Sequence, residues 1–386
     1  MSGVKVRDSK FDDIRPYRDD EIPAAMQRIA DNPLFPVVSS FAYPDMEVDE
    51  VREMLKGFRT VEEFQREAMY RLNEEIIRST TAGFTVGGVE NISRDRPHLF
   101  VSNHRDIVLD ASFLQNVLLD AGLDTTEITF GANLMTTQLV VDAGKSNRMF
   151  RVERGAATPK EFYLASLHLS EYIRDTLLKF GNSVWIAQRN GRTKDGNDRT
   201  DQGIIKMFAL SRCDDKVESL AELGIIPVAV SYEWEPCDIQ KVLELYESAK
   251  MGSYVKKPGE DLSSIISGIT ANKGRVHFQI CEPLTRAELG SLDNLTSSVY
   301  NREVAALIDR RIHSAFRLWP NNWIAHDLRY GRSSHQDRYT PEQKAAFLEH
   351  LRLLDKYSGS EPETLRDMML AIYSNPVDNF LRVGQH

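Results

Sequence analysis

Cysteine is scarce in this 386-residue chain: Cys213, Cys237 and Cys281 stand far apart, with no close pair and an odd total. That spacing excludes a zinc knuckle, a CxxC redox pair and a disulfide framework, and a reducing cytoplasm is the expected home. Long apolar runs are missing too. Nothing approaches the ~20 uninterrupted apolar residues of a spanning helix, and the opening MSGVKVRDSKFDDIRPYRDDE lacks the apolar core of a signal peptide, so a soluble or peripheral protein is expected. Positive charge is in deficit. With 48 Lys and Arg against 57 Asp and Glu the net charge is −9, which argues against bulk attraction to nucleic acid, and no nucleic-acid partner is expected. What remains is an ordinary globular composition, 41% hydrophobic and 27% charged, on a chain long enough to bury a large core.

Residues 1–80 read as a helical extension. Ile22 to Ala30 is a first segment, and Asp49 to Arg78 carries Val51, Met54, Leu55, Phe58, Phe64, Met69, Leu72, Ile76 and Ile77 at helical spacing, with Pro33, Pro36 and Pro44 as interruptions. From residue 84 short β-like runs (FTVGGV, HLFVS, ITFGA, SVWIAQ, IIPVAVSYEW, RVHFQIC) alternate with helical stretches at 160–179, 203–223 and 238–250. This pattern predicts an α/β domain over 81–290: a mixed, largely parallel sheet covered by helices. The link between FTVGGV and HLFVS is too short for a helical crossover, so the sheet need not be purely parallel. A helical region follows over 291–386, with segments at 297–319, 341–357 and 364–373.

The segment NHRDIVLD (103–110) places His104 between the strand-like HLFVS and the helix-like ASFLQNVLLDAG. A histidine at a strand end removes a proton from an alcohol when a carboxylate fixes its tautomer and supports the imidazolium. Asp110 and Asp106 are both within local reach. Residues six apart on a continuous helix point to opposite sides, so His104 must precede the helix if Asp110 is its partner. If the helix begins near Asp106, that carboxylate serves instead as the N-cap. The bland alternative is a turn histidine with two aspartates that merely favour a helix start.

Three later segments add weight. GANLMTTQLVVDAGKSNRMFRVERG (131–155) contains Asn133, Lys145, Arg148, Arg151 and Arg154, and its arginines are donors suited to phosphate or carboxylate oxygens, unless Glu153 or Glu161 takes them. NSVWIAQRNGRTKDGNDR (182–199) is a strand followed by a polar loop with Arg189, Arg192, Lys194 and Arg199, which read alone is equally a solvated basic surface. IIPVAVSYEWEP (225–236) is a buried-looking strand in which Pro227 suits a strand start or an edge.

In this order the segments resemble the four blocks of the glycerolipid acyltransferase superfamily, over about residues 84–284. NHRDIVLD resembles the first block, usually NHxxxxD, but five residues separate His104 from Asp110, one more than the pattern. The second block's glycine and terminal arginine fall on Gly144 and Arg154. The third block's prominent arginine falls on Arg192, with Arg189 where a glutamate is usual. The resemblance implies transfer of a fatty acyl group from acyl carrier protein or acyl-CoA to a phosphorylated glycerol-type acceptor such as glycerol 3-phosphate or lysophosphatidate. His104 would be the base, Asp110 or Asp106 its partner, and Arg151, Arg154, Arg189, Arg192 and Asn133 would bind substrate. No metal or other cofactor is expected, since a thioester is already activated. Peripheral contact at the inner face of the membrane is expected from the lipid-like product. The same His-Asp pair would also suit a thioester or lipid hydrolase, and a non-catalytic relative of the fold is a third reading.

Two further features are set beside this. His104-Arg105-Asp106 matches the kinase catalytic-loop string, but no asparagine at the right offset and no DFG accompany it. FRLWPNNWIAHDLRYG reads either as an interfacial aromatic segment or as helices packed on the core. His313 and His326 lack metal-ligand spacing.

Overall fold

Alternating strand-like and helix-like segments build one seven-stranded sheet in the computed structural model, which describes residues 7–153, 155, 158–212, 214–252, 254–257, 259–357 and 361–384. The strands are β1 (Thr81–Gly87), β2 (Leu99–Ser102), β3 (Glu127–Gly131), β4 (Met149–Val152), β5 (Val184–Ala187), β6 (Ile225–Tyr232) and β7 (Gly274–Ile280). Their order is β1-β7-β6-β2-β5-β3-β4, with every neighbouring pair parallel except β6 and β7. Thus β7 and β1 run against the other five strands. This α/β architecture is the expected one. The short β1–β2 link is accommodated because those strands are not neighbours and run in opposite senses.

Both faces of the central strands are covered, which explains their near-continuous apolar character. Leu99, Val101, Val184, Ile186, Ile225 and Ala229 face a core completed by Tyr172, Ile205, Phe208, Val304, Ile308 and Ile312. Phe100, Trp185, Ile226, Val228 and Val230 face the other way, against Leu109, Phe113, Leu114 and Val117. Full burial of each such side chain contributes about 1.5–3 kcal/mol, so the sheet is a rigid support for whatever its ends carry.

Pro227 lies at neither an edge nor a strand start. It is the third residue of β6, inside the sheet, opposite Val101 of β2. The sheet tolerates it because the β7 ladder begins one residue later, at Val228–Ile280, while the Pro227 carbonyl still accepts from Cys281 N at 2.9 Å. The missing N–H therefore falls where pairing with β7 stops. Strand β4 was not among the expected runs: it has only four residues, Met149–Val152, and follows Arg148, whose φ is 56°.

The expected helix over 49–78 is broken. It ends at Gly57, and a new one starts after Thr60, whose Oγ1 accepts from Glu63 N at 3.2 Å while Glu63 returns a bond to Thr60 N at 3.0 Å. Pro36 opens the helix Phe35–Ala42 rather than interrupting one, since a first-turn proline loses no hydrogen bond. The 203–223 stretch divides into Gln202–Ala209 and Lys216–Ala221, and the last helix runs from Pro362 to Val383 through Pro376. Phe316 and Trp319 are buried, so this part of the aromatic segment packs inward.

Candidate active site

β2 ends at Ser102 and the helix Leu109–Asp120 begins seven residues later, so residues 103–108 form the turn at the carboxyl end of a central strand. Crevices outside the carboxyl ends of parallel strands are where open α/β sheets bind ligands. Asn103 anchors the turn. Its side chain donates to Val230 O at 2.9 Å and accepts from Val230 N at 2.8 Å, continuing the β2–β6 pairing beyond the strand.

His104 precedes the helix and Asp110 occupies its first turn, which lets the two meet. Nδ1 of His104 lies 2.9 Å from Asp110 Oδ2, and that oxygen also accepts from the backbone N–H groups of Arg105 and Asp106 at 2.6 and 2.9 Å. Oδ1 accepts from the Tyr232 hydroxyl at 2.9 Å. Burial holds Tyr232 well above its ordinary pKa, with Asp110 and Asp106 adding to the effect, so the hydroxyl remains a donor. With Asp110 acting as acceptor throughout, the imidazole proton belongs on Nδ1 and the Nε2 lone pair points away. No described residue hydrogen-bonds to Nε2. Trp185 packs edge-on against the ring with centroids 5.7 Å apart.

Asp106 has a different task in this geometry. Its Oδ1 accepts from Val108 N and Leu109 N, both at 2.9 Å, so it braces the turn ahead of the helix, whose N-cap position is Val108 and not Asp106. The extra residue between His104 and Asp110 is absorbed in this braced turn. Asp106 Oδ2 is buried with no hydrogen-bond partner, and Gly268 of the helix Glu260–Thr270 lies so close that a Cβ there would be 2.2 Å from it.

Beneath the turn is a buried ionic cluster. Arg105, fully enclosed, donates to Asp198 at 2.5 Å and Glu235 at 3.1 Å; Lys241 donates to Glu235 at 2.5 Å and to the Arg105 carbonyl at 2.7 Å. Asp198 also accepts from Thr193 Oγ1 at 2.7 Å and Asn103 Nδ2 at 3.1 Å. The loop after β5 is thereby fastened to the His104 turn, and Thr193 N donates to the His104 carbonyl at 2.7 Å. Sequence reading did not single out Tyr232, Asp198, Glu235 or Lys241.

The other expected site residues are dispersed. Arg192 sits in the fastened loop, 9% exposed, with Nη1 buried and unpaired and its charge set against the Cys237 thiol. Arg189 is half-buried just after β5, without a hydrogen bond or ion pair among the described residues. Arg151 is on the edge strand β4, paired with Glu153 at 2.6 Å, and three strand spacings, roughly 14 Å, separate it from β2. Exposed Asn133, just past β3, lies 3.3 Å from Asp261. Arg154 and Cys213 lie outside the described residues.

Beside the turn is an apolar pocket of 290 Å³ that sequence reading did not anticipate. Val108, Phe130 and Gly144 form one wall, and Val38, Met54 and Leu72 of the N-terminal helices close another. Its lining mixes segments remote in sequence, so no local pattern could have announced it.

No curated protein matches the chain. Among solved structures, the crystal structure of the 1-acyl-sn-glycerophosphate (LPA) acyltransferase PlsC from Thermotoga maritima aligns with a TM-score of 0.38 and 17% identity, over 75% of this chain and 93% of that one. The family profile described as Acyltransferase matches residues 83–231, a span holding β1, the His104 turn, Asp110 and Arg192. Residues 83–231 are therefore an acyltransferase-family domain, and His104 and Asp110 belong to it.

Proposed function

We propose that the protein is a glycerolipid O-acyltransferase, moving a fatty acyl group from acyl carrier protein or acyl-CoA to a hydroxyl of a phosphorylated glycerol-type acceptor, glycerol 3-phosphate or lysophosphatidate. The observation that carries this reading is the His104–Asp110 pair at 2.9 Å within a domain of the acyltransferase family. His104 Nε2 takes the acceptor hydroxyl proton as that oxygen attacks the thioester carbonyl carbon. The C–S bond then breaks, and the departing thiolate takes the proton from Nε2. Asp110 holds the ring and supports the transient imidazolium, and the rate gain comes from positioning and general-base catalysis. The route calls on no cofactor beyond the thioester co-substrate.

The apolar pocket accepts the acyl chain, with Val108 linking its wall to the His104 turn. Arg192 offers a buried, unpaired donor for the acceptor's phosphate, and Arg189 a second. Arg154 joins them by resemblance, whereas Arg151 and Asn133 would have to exchange Glu153 and Asp261 for substrate. No described helix is long and apolar enough to cross a membrane. Peripheral contact at the inner face of the membrane is supported by exposed Val37 and Val38 on a pocket helix and by Leu262 and Ile266 on the helix Glu260–Thr270. The deciding experiment is product analysis by mass spectrometry with acyl-CoA and acyl carrier protein donors, with and without glycerol 3-phosphate or lysophosphatidate. Acylated acceptor is expected; free fatty acid alone, independent of acceptor, would instead identify a hydrolase.

A further inference from the structure

We propose a divalent transition-metal site, of the kind zinc occupies, formed by His326, Asp327 and His335 in the C-terminal helical region. The site is independent of the acyl-transfer reading. His326 and Asp327 lie on the helix Pro320–Arg329 and are 5% and 3% exposed; His335 comes from the segment that follows and is half-buried. One potential ligand atom from each residue lies within 4.8 Å of the others.

Two of these groups have buried atoms with nothing to bond. His326 Nδ1 and Asp327 Oδ1 both lack a hydrogen-bond partner, and leaving such a group unsatisfied costs about 1–3 kcal/mol. Around them, the other atoms of the same side chains are already engaged. His326 Nε2 is 3.4 Å from Asp378 Oδ1, and the Tyr330 hydroxyl holds the opposite oxygen of Asp378 at 2.7 Å. That places the imidazole proton toward Asp378 and a lone pair on Nδ1, the orientation a carboxylate imposes on metal-binding histidines. Asp327 Oδ2 accepts from Tyr339 OH at 2.9 Å and His335 N at 3.1 Å, which leaves Oδ1 as the unengaged oxygen. The His335 ring rests between Trp323 and His326, with centroids 4.7 and 5.0 Å away.

Two imidazoles and a carboxylate form a donor set for zinc-class ions rather than magnesium or calcium, and a fourth position would fall to water. Zinc bonds of roughly 2.0–2.2 Å require the donors to draw together by about an ångström, a movement open to the half-buried His335 ring. The bound ion would clip the 330–339 segment to the helix Pro320–Arg329 and, through Asp378, to the final helix. A sequence scan misses it because His326 and Asp327 are adjacent and His335 follows eight residues after Asp327.

The test uses the full-length protein, stripped by a chelator and then titrated with Zn(II) and with Co(II). The expected result is one ion per chain, a rise in unfolding temperature with Zn(II), and the visible absorption of four-coordinate Co(II). His335→Ala should abolish the Co(II) spectrum, and Asp378→Asn should weaken binding about 10–100-fold. His104→Ala should bind metal like the parent chain, which keeps this outcome separate from the reaction. No stoichiometric binding by the parent chain would overturn the site and leave a bridging water as the occupant. Equal binding by folded His335→Ala would overturn it as well.

Discussion

The division of labour between Asp110 and Asp106 makes the sharpest predictions at the scale of single residues. Asp110→Asn presents His104 with an amide in place of a carboxylate, so kcat should fall by about 10²–10⁴-fold while folding is retained. Asp106→Asn keeps an oxygen to brace the turn, and transfer should stay within a few fold of the parent enzyme. Steady-state kinetics and circular dichroism on both variants check this; the reverse ranking would assign the partner to Asp106. Arg192→Ala should raise the acceptor KM with a smaller change in kcat, and an unchanged KM would remove Arg192 from phosphate recognition. His104 and Asp110 were legible in the sequence because they lie on one short turn. Tyr232 was not: its hydroxyl reaches Asp110 from 122 positions away, a pairing set entirely by β6 lying beside β2.

At the scale of elements, the close approach of the helix Glu260–Thr270 to the His104 turn has a measurable cost if disturbed. A Cβ at Gly268 would fall 2.2 Å from Asp106 Oδ2, so Gly268→Ala should force the braced turn or the helix to move. A loss of about 1–3 kcal/mol in urea unfolding is expected, together with reduced kcat. The N-terminal helices supply a second test. Met54→Trp would fill part of the 290 Å³ pocket, so preference should shift to shorter acyl donors while turnover of a short donor persists; an unchanged chain-length profile would place the acyl group elsewhere. Most elements could be read from periodicity, including Ile22–Ala30 and the buried strand IIPVAVSY. The edge strand at Met149–Val152 could not, because four residues give too little alternation.

For the whole molecule, stability should carry a signature of Lys273. It is buried where β7 starts, donates to Thr80 Oγ1 and to the Ile269 and Ala271 carbonyls, and burial lowers its pKa from 10.5 to about 8. Below pH 8 the amine is charged folded or unfolded, and the cost of burying that charge is fully present. Between pH 8 and 10.5 the unfolded chain holds the proton more tightly, so stability should rise with pH, by at most about 3 kcal/mol. Urea unfolding across that range, compared with Lys273→Met, isolates the effect; parallel pH profiles for the two proteins would show that Lys273 carries none of it. The α/β class was visible from alternation alone. The antiparallel pairing of β6 with β7 and the burial of the ionic cluster were not, since both depend on strand order.

The hydrogen bond from Thr193 N to the His104 carbonyl joins the arginine loop and the histidine turn at one peptide unit. If the loop binds an anion, as proposed, its pull would reach the His104 backbone directly through this bond. Recognition and proton transfer would then share one mechanical element. On that proposal an acceptor lacking its phosphate should forfeit turnover as well as affinity, because binding energy at the loop would be converted into alignment of the base.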